Sequence, residues 1–354
     1  MPTFVTGACG FVGLALVERL LQQGREVVGF DQAPLPAAAA RAFAPLPGRL
    51  AMVQGDVRDA AALETAMRTH RPRGLVTLAA ITADARRERA APASIFEVNL
   101  GGVVAALSAA AACGVQRVLH ASSGSVYGAS GQGAAALHED RTPLRPEGLY
   151  GISKQAAEAA ALRLAALHGL DLVVGRLGTC FGPWEADTGV RDTPSAPLQV
   201  LLQAERGQAV RLPRDSRRDW LYVRDAAAGL QALLDRPRLP RTVYNVAAGF
   251  MGSMAQWCQA VAAQRPGWAW RIADPGDDRP SQRRLLRALR PRAHGHRAPR
   301  GRHRLSAALR PGRRGHGLPG LAPHAARRHR SRPCLIPTPS NPQRRPAWPA
   351  RSAS

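Results

Sequence analysis

Lysine is almost absent from this chain: Lys154 is its only lysine among 49 basic residues. Cysteine is sparse too, with five residues spread along 354 positions and no C-x-x-C pair. This spacing argues against a disulfide-dense secreted scaffold and against a structural zinc site, so we predict no metal and a reducing, cytoplasmic compartment. With 45% hydrophobic residues, the chain is long enough to bury one large core or two smaller ones.

Long apolar runs are missing as well. A membrane-spanning helix needs roughly 18 to 20 consecutive apolar residues, whereas the most apolar stretch, residues 103–115, is short and rich in alanine. The N-terminal segment has regularly spaced glycines and lacks the basic residues that begin a signal peptide. We therefore predict a soluble protein without a membrane partner.

Acidic residues stop at Asp278. The remaining residues, 279–354, contain 20 arginines and no lysine, aspartate or glutamate, so this tail carries most of the formal net charge of +24. The residues before it hold 29 basic and 25 acidic side chains, a net charge of +4. The tail is also poor in large apolar side chains, and we expect it to be disordered.

Short β-branched runs alternate with helical patterns through the first half of the chain. Such alternation predicts an α/β fold with a doubly wound parallel sheet, a Rossmann fold. Prolines punctuate the chain after residue 178, so we predict a Rossmann domain at 1–177, a smaller C-terminal substrate lobe at 178–278 and the tail at 279–354. The predicted strands are residues 3–6, 26–30, 51–54, 74–78, 117–120, 172–176 and 243–246.

Four residues mark helix starts. Asp59, Asp225 and Ser253 each precede a helical pattern, and their side-chain oxygens can accept hydrogen bonds from the free N–H groups of a first turn. Pro92 suits the first turn of a helix that ends near residue 113. The sequence therefore predicts helices that begin at these four positions.

A glycine-rich turn, V-T-G-A-C-G-F-V-G, follows the first predicted strand directly and precedes a helix. Its G-x-x-G-x-x-G spacing suits dinucleotide binding, because the glycines allow a tight turn, a close approach to the pyrophosphate and close packing of helix on strand. The helix N-terminus adds free N–H groups and the positive end of its dipole. The predicted cofactor contacts in this turn are Gly7, Gly10, Phe11, Val12 and Gly13.

Asp31 ends the second predicted strand, 18 residues after Gly13. A carboxylate at this place can accept hydrogen bonds from both hydroxyls of an adenosine ribose. The next arginine is Arg41, so no cation stands ready for a 2′-phosphate. We therefore predict NAD rather than NADP as the cofactor.

Tyr150 and Lys154 form Y-x-x-x-K at the start of a helical pattern, which places the phenol and the ammonium on one face, one turn apart. A phenol is a weak base at neutral pH, and an adjacent cation lowers the cost of its phenolate. Lys154 can also hold the nicotinamide ribose, and Ser123, in S-S-G-S-V-Y-G after the fifth strand, can donate to a substrate oxygen. A guanidinium does not replace a compact ammonium of adjustable pKa, so the single lysine supports a catalytic set of Ser123, Tyr150 and Lys154.

In their order and spacing, the glycine turn, S-S-x-x-V-Y-G and Y-x-x-x-K resemble the NAD-dependent epimerase/dehydratase family of extended short-chain dehydrogenases, over residues 1–275. The resemblance implies NAD as cofactor, a nucleotide sugar as substrate and a homodimer. It also implies further contacts: Asp56 and Val57 beside the adenine, Leu78, Ala79 and Ala80 along the cofactor, Asn99 near the site, and Ser123 and Arg218 on the substrate.

Members of this family share a first step, in which a tyrosinate takes a hydroxyl proton, a hydride passes to the nicotinamide, and a keto sugar forms. Dehydratases of the family supply carboxylates directly after the residue that corresponds to Ser123, and decarboxylating relatives carry a glutamate there; this chain has Gly124 and Ser125. We therefore favour an NAD-dependent epimerase with a transient keto intermediate. An NAD-dependent sugar dehydrogenase or reductase of the same family is the alternative.

Three explanations of the tail stay open: a basic nucleic-acid-binding arm, a disordered extension, or a shifted reading frame near residues 278–281. Nucleic-acid-binding arms usually mix lysine and aromatic residues with arginine, and Trp348 is the tail's single aromatic residue. We therefore do not expect a nucleic-acid partner, and we favour the frameshift. Sequencing the gene would test it. A frameshift would impair turnover more than NAD binding, because it would replace part of the substrate lobe. A Rossmann scaffold with a nucleic-acid-binding tail predicts instead salt-sensitive retention on DNA that is lost with the tail.

Overall fold

A computed structural model describes residues 2–274 except residues 133, 135, 187, 188, 190 and 237. The tail at 279–354, with the expectations attached to it, lies outside these described residues. The described strands are β1 (Thr3–Thr6), β2 (Glu26–Asp31), β3 (Arg49–Gln54), β4 (Gly74–Thr77), β5 (Arg117–Ser123), β6 (Asp171–Leu177), β7 (Thr179–Phe181), β8 (Val210–Leu212), β9 (Arg217–Arg218), β10 (Trp220–Tyr222), β11 (Val243–Val246), β12 (Gly252–Ser253) and β13 (Trp270–Ile272).

The helices alternate with these strands through the first half of the chain, as the sequence predicts. They are α1 (Phe11–Gln22), α2 (Ala37–Phe43), α3 (Ala60–His70), α4 (Ala85–Ala90), α5 (Pro92–Phe96), α6 (Gly102–Ala112), α7 (Leu149–His168), α8 (Ala196–Glu205), α9 (Val223–Asp235) and α10 (Met254–Gln264). A π-helical turn, Glu97–Gly101, joins α5 to α6.

Seven parallel strands form one sheet in the order β3-β2-β1-β4-β5-β6-β11, which confirms the predicted Rossmann fold. Helices cover both faces, so the central strands are buried on both sides: Val5 faces one hydrophobic cluster and Phe4 the other. Chain order reverses between β1 and β4. Ligands of doubly wound sheets bind beside the carboxyl ends of the strands at such a reversal.

The edge strand β11 comes from far beyond residue 177. It pairs with β6, and α9 before it packs against α1 and β5, so both elements belong to the Rossmann layer rather than to the second lobe that the sequence division at 177 assigned them to. The smaller lobe is built from α8, α10 and three two-stranded pairs, β7–β10, β9–β12 and β8–β13. The chain therefore returns to the main sheet in the middle of the predicted substrate lobe.

The run Pro92–Ala112 is continuously helical and begins at Pro92, as predicted. Among the described residues it is the one helical run whose length and mean hydropathy, 1.6, would suit a membrane span by composition alone. Its buried face packs against α3 and α7. This contact is that of a core helix.

Two of the predicted caps are confirmed. Asp59 Oδ1 accepts from Ala62 N at 3.0 Å, and Ser253 forms a reciprocal capping box at the start of α10. The prediction for Asp225 was wrong, because α9 begins two residues earlier and Asp225 lies inside its first turn. A carboxylate there still opposes the positive end of the helix dipole.

Candidate active site

A cleft of about 460 Å³ lies at the carboxyl ends of the central strands. It brings together the glycine turn, the end of β5, the start of α7 and residues of the smaller lobe. Of the predicted site residues, those lining it are Gly7, Gly10, Phe11, Val12, Gly13, Leu78, Ala80, Ser123, Tyr150, Lys154 and Arg218. The residues predicted from separate motifs therefore share one cavity.

The glycine turn is shaped so that no side chain would fit at two of its positions. Gly7 has φ +69°, and a Cβ there would lie 2.6 Å from the backbone nitrogen of Ala79. A Cβ at Gly13 would lie 2.0 Å from the Gly7 carbonyl oxygen. No side chain caps α1, so its first amide groups are left for a ligand in the cleft. This cradle fits the pyrophosphate of a dinucleotide.

Asp31 fixes the turn from the end of β2. Its Oδ2 accepts from Cys9 N at 2.9 Å, and its Oδ1 accepts from Ala33 N at 3.0 Å. Each carboxylate oxygen accepts more than one hydrogen bond. Asp31 therefore braces the glycine turn, and its carboxylate oxygens can still accept further hydrogen bonds.

Other predicted cofactor contacts do not line this cavity. The Asp56 carboxylate is bound in a fork by Arg58, which lowers the pKa of Asp56. Val57 is buried in the core under α6. Ala79 packs behind Gly7, while its neighbours Leu78 and Ala80 reach the cleft.

Asn99 is fully buried in the π-helical turn and is not in the cleft. Its Oδ1 accepts from Ile81 N at 2.7 Å, and its Nδ2 donates to Ile81 O at 3.0 Å and to Ser153 Oγ at 2.9 Å. Asn99 thus ties the segment after β4 to α7. Its role is to hold the residues beside the site.

The structure brings Ser123 and Tyr150, two residues of the predicted catalytic set, to the same cleft. Tyr150, Ser123 and Thr82 all line the cleft. Burial raises the pKa of Tyr150, and the hydrogen bond to Ser123, the charge of Arg191 and the hydrogen bond to Thr82 oppose this increase. The hydroxyl groups of Ser123 and Thr82 therefore favour the phenolate of Tyr150, and the sequence indicated the first of them.

Lys154 is 3% exposed, and its Nζ donates to the carbonyl oxygen of Ala121 at 2.6 Å. Burial lowers its pKa to about 8, while the charge of Glu158 acts in the opposite direction. Glu158 also binds Arg176 and accepts from Ser122 Oγ at 2.7 Å. The charge of the Lys154 ammonium is therefore balanced in part by a buried network of Glu158, Arg176 and Ser122. This network was not predicted from the sequence.

Arg218 reaches the cleft from β9, beside a carboxylate that fixes the strand. Its guanidinium lies 5.8 Å from the ring centroid of Trp220. The neighbouring Asp219 accepts from Ala248 N at 2.7 Å and from Gly249 N at 2.9 Å, and burial raises its pKa to about 6. The predicted substrate arginine is thereby held at the cavity wall.

Several cleft residues were not predicted from the sequence. Thr82 and Glu88 follow β4, and a search of strand ends would have found Thr82. Trp184 and Arg191 come from the irregular segment between β7 and α8, which has no periodic pattern. The sequence offers no signal for these two.

A family model described as the NAD dependent epimerase/dehydratase family matches residues 3–247. The chain belongs to this family. The resemblance in the motifs is therefore confirmed, and the chain is an NAD-dependent enzyme with a cleft whose turn fits that cofactor.

Relatives of this family member catalyse several reactions. The dTDP-glucose 4,6-dehydratase of Streptomyces griseus is 32% identical over 260 residues, 69% of this chain and 73% of the relative. The GDP-6-deoxy-D-mannose reductase of Pseudomonas aeruginosa is 30% identical, over 82% of this chain and 89% of the relative. The crystal structure of Thermus thermophilus UDP-glucose 4-epimerase in complex with NAD has a TM-score of 0.62 and 27% identity, covering 82% of this chain and 94% of that one. Family membership thus leaves the reaction open.

Proposed function

We propose that this chain is an NAD-dependent epimerase that acts on a nucleotide sugar through a transient keto sugar. One observation carries the proposal: beside the Ser123–Tyr150 pair, positions 124 and 125 line the cleft without a carboxylate. Among the described residues that line the cleft, Glu88 is the one acid, and its Oε1 accepts from Leu149 N at 2.7 Å. Elimination of water needs an acid and a base besides the tyrosine.

The proposed chemistry assigns one task to each side chain. NAD, when bound, supplies an acceptor that takes a hydride from the sugar and returns it. The Tyr150 phenolate accepts the proton of the reacting hydroxyl and gives it back, and Ser123 donates to the sugar oxygen. Arg218 binds the substrate diphosphate and leaves the sugar unattached. The keto sugar can then rotate, so that the hydride returns to its other face.

The proposal divides the predicted cofactor contacts into two groups. The glycine turn, Asp31, Leu78 and Ala80 line or brace the cleft and bind NAD directly, and Lys154 holds the nicotinamide ribose. The remaining residues, Asp56, Val57, Ala79 and Asn99, hold the surrounding backbone. Some of the positions that the family resemblance implied as cofactor contacts are therefore buried residues that support the cofactor site and do not touch NAD.

The experiment is a panel of nucleotide sugars that differ in base and sugar, incubated with the full chain and NAD. An epimerase gives a product inverted at one carbon, seen by NMR, without net NADH. The dehydrogenase or reductase alternative gives one NADH oxidised or formed per product. The variant Tyr150→Phe serves as the control without a proton acceptor. Water loss or stoichiometric NADH would contradict the epimerase.

We also propose that the enzyme is a cytoplasmic homodimer. The described cysteines Cys9, Cys113, Cys180 and Cys258 are free thiols, as a reducing compartment requires. Val104 on α6 and Ile152 on α7 are among the exposed large hydrophobic residues, and these two helices are neighbours. An apolar pair on adjacent helices suits contact with a second copy.

A further inference from the structure

Glu88, the one acid among the described residues that line the cleft, lies on the short helix α4. The Asp84 side chain caps this helix: its Oδ1 accepts from Arg86 N at 2.8 Å and from Arg87 N at 3.1 Å. The Arg87 guanidinium is bound by Asp192, with Nη2 2.7 Å from Oδ1. Asp192 Oδ2 also accepts from Asp84 N at 3.0 Å. These contacts fix α4, and with it the place of Glu88 in the cleft wall.

Glu88 also contacts the N-terminus of α7, the helix that carries Tyr150. The N-cap residue of α7 is Gly148, which has no side chain to accept from the first amide groups. Glu88 Oε1 accepts from Leu149 N at 2.7 Å instead. The N-terminus of a helix stabilises a negative charge. Because Leu149 immediately precedes Tyr150, the carboxylate is held one residue along the chain from the proposed proton acceptor.

The Glu88 carboxylate keeps an oxygen for a ligand. In the part of the chain that the structure describes, Leu149 N is its hydrogen-bond partner, and no arginine, lysine or histidine forms a salt bridge with it. A carboxylate accepts hydrogen bonds at both oxygens. Glu88 Oε2 can therefore accept from a donor group on a ligand, and a ligand charge beside it meets an unpaired negative charge.

The cations that line the cleft have other tasks. Lys154 donates to a backbone carbonyl at 2.6 Å. The Arg191 guanidinium is neutralised by Glu185, with Nη1 2.9 Å from Oε1. Arg218, on β9, is the residue to which the proposed function assigns the substrate diphosphate. None of these three pairs with Glu88 among the described contacts, so its charge is not cancelled by a direct ion pair.

We propose that Glu88 is a specificity-determining residue, which favours nucleotide sugars with a neutral, hydroxylated sugar and disfavours nucleotide uronates. The inference rests on the proposed function, since it names the substrate class of that site. The reacting hydroxyl must come within hydrogen-bond reach of Tyr150, so the carboxylate beside Leu149 lies next to the sugar. A sugar hydroxyl can donate to Glu88 Oε2, whereas a sugar carboxylate meets a like charge and has no proton to donate.

The test is calorimetry of ligand binding to the full chain with saturating NAD. UDP, dTDP and GDP are titrated first, and the diphosphate that binds most tightly is kept as the carrier. Its glucose and glucuronate derivatives differ at one carbon, which is a hydroxymethyl group in the first and a carboxylate in the second. We expect the wild type to bind the glucose derivative about tenfold more tightly than the glucuronate derivative.

Variants at position 88 separate the charge from the contact with α7. Glu88→Gln removes the charge and keeps an oxygen for Leu149 N, so the glucuronate derivative should bind more tightly and the preference should disappear. Glu88→Asp keeps the charge and should keep the direction of the preference. Glu64→Gln removes an exposed carboxylate on α3 and is the matched control, with the preference of the wild type. Circular dichroism checks that each variant is folded.

Salt gives a readout that needs no variant. Because salt screens the repulsion between two carboxylates, the preference of the wild type should narrow as the salt concentration increases. Equal binding of both derivatives by the wild type overturns the proposal. A preference that Glu88→Gln leaves unchanged, or that salt does not narrow, overturns it as well.

Turnover distinguishes this inference from the proposed function. If the preference is as expected but the glucose derivative is not epimerised, the role of Glu88 is supported and the epimerase is contradicted. If the glucose derivative is epimerised and Glu88→Gln keeps the preference of the wild type, the epimerase is supported and the role of Glu88 is wrong. If no diphosphate and no derivative binds, both are wrong.

Discussion

At the scale of single residues, Lys154 combines a functional charge with a site that disfavours it. Its side chain is 3% exposed, and the contacts that compensate the ammonium are the Ala121 carbonyl and the charge of Glu158. Burying a charge costs free energy unless hydrogen bonds and an opposite charge offset it. The lowered pKa, about 8, shows that the offset is incomplete.

Replacement of Lys154 by Met therefore has a pH-dependent effect on stability. The folded pKa is about 8 and the ordinary value is 10.5, so between them the unfolded chain binds more protons than the folded one. The free energy of unfolding of the wild type, relative to Lys154→Met, should rise as pH increases from 8 to 10.5. Urea denaturation of both proteins across this range measures the difference, and parallel stability curves would contradict the shifted pKa.

The same residue shows how far the sequence predicts the site. Tyr150 and Lys154 were predictable because four residues on a helix return to the same face. Trp184 and Arg191 were not, because they come from a segment without a periodic pattern, and only the folded chain brings them to the cleft. A motif locates the reacting groups, whereas the residues that tune them come from segments without a period.

At the scale of elements, the π-helical turn Glu97–Gly101 carries the fully buried Asn99. π-Helical turns are rare in proteins, but those that occur are often found at functional sites. Asn99 satisfies both backbone groups of Ile81, the residue before Thr82. The π-helical turn thereby fixes the segment that brings Thr82 to the cleft.

Replacing Asn99 by Leu should destabilise the fold and weaken catalysis together. The variant leaves the part-buried N–H and C=O of Ile81 without the Asn99 side chain as partner, at a cost of about 1–3 kcal/mol. Loss of this anchor frees Thr82, so kcat should fall more than the affinity for NAD. Ser153→Ala removes one of the Asn99 partners and is the control, with a smaller stability loss. Urea denaturation and NAD calorimetry measure both effects; a stable, fully active Asn99→Leu would refute the anchor.

At the scale of the whole molecule, the parallel sheet was predictable because its strands are buried on both faces and form continuous apolar runs. The placement of β11 was not: its sequence indicated a strand, but its pairing with β6 depends on α9 packing against α1. The same packing decides that the smaller lobe is an excursion from the main sheet. Contacts between segments that are distant in the chain leave no pattern in the local sequence, so the sequence did not predict them.

The exposed faces of α6 and α7 give the last prediction, which concerns assembly. Val104 and Ile152 are 36% and 37% exposed, and Ile152 lies between Tyr150 and Lys154 on the outer side of α7. A second copy packed on this surface would contact the outer side of α7, the helix that carries Tyr150 and Lys154. The interface and the active site would then share one helix, and assembly would stiffen the site.

Accordingly, Val104→Glu combined with Ile152→Glu should convert a dimer into a monomer of 37.7 kDa in light scattering after gel filtration. A charge buried in an apolar contact is costly, so two carboxylates opposite their symmetry mates separate the copies. Turnover should fall while NAD affinity persists, because the glycine turn lies between β1 and α1, away from this surface. Leu202→Glu on α8, equally exposed in the smaller lobe, should leave the mass unchanged. If the double variant stays dimeric, the copies meet through another surface.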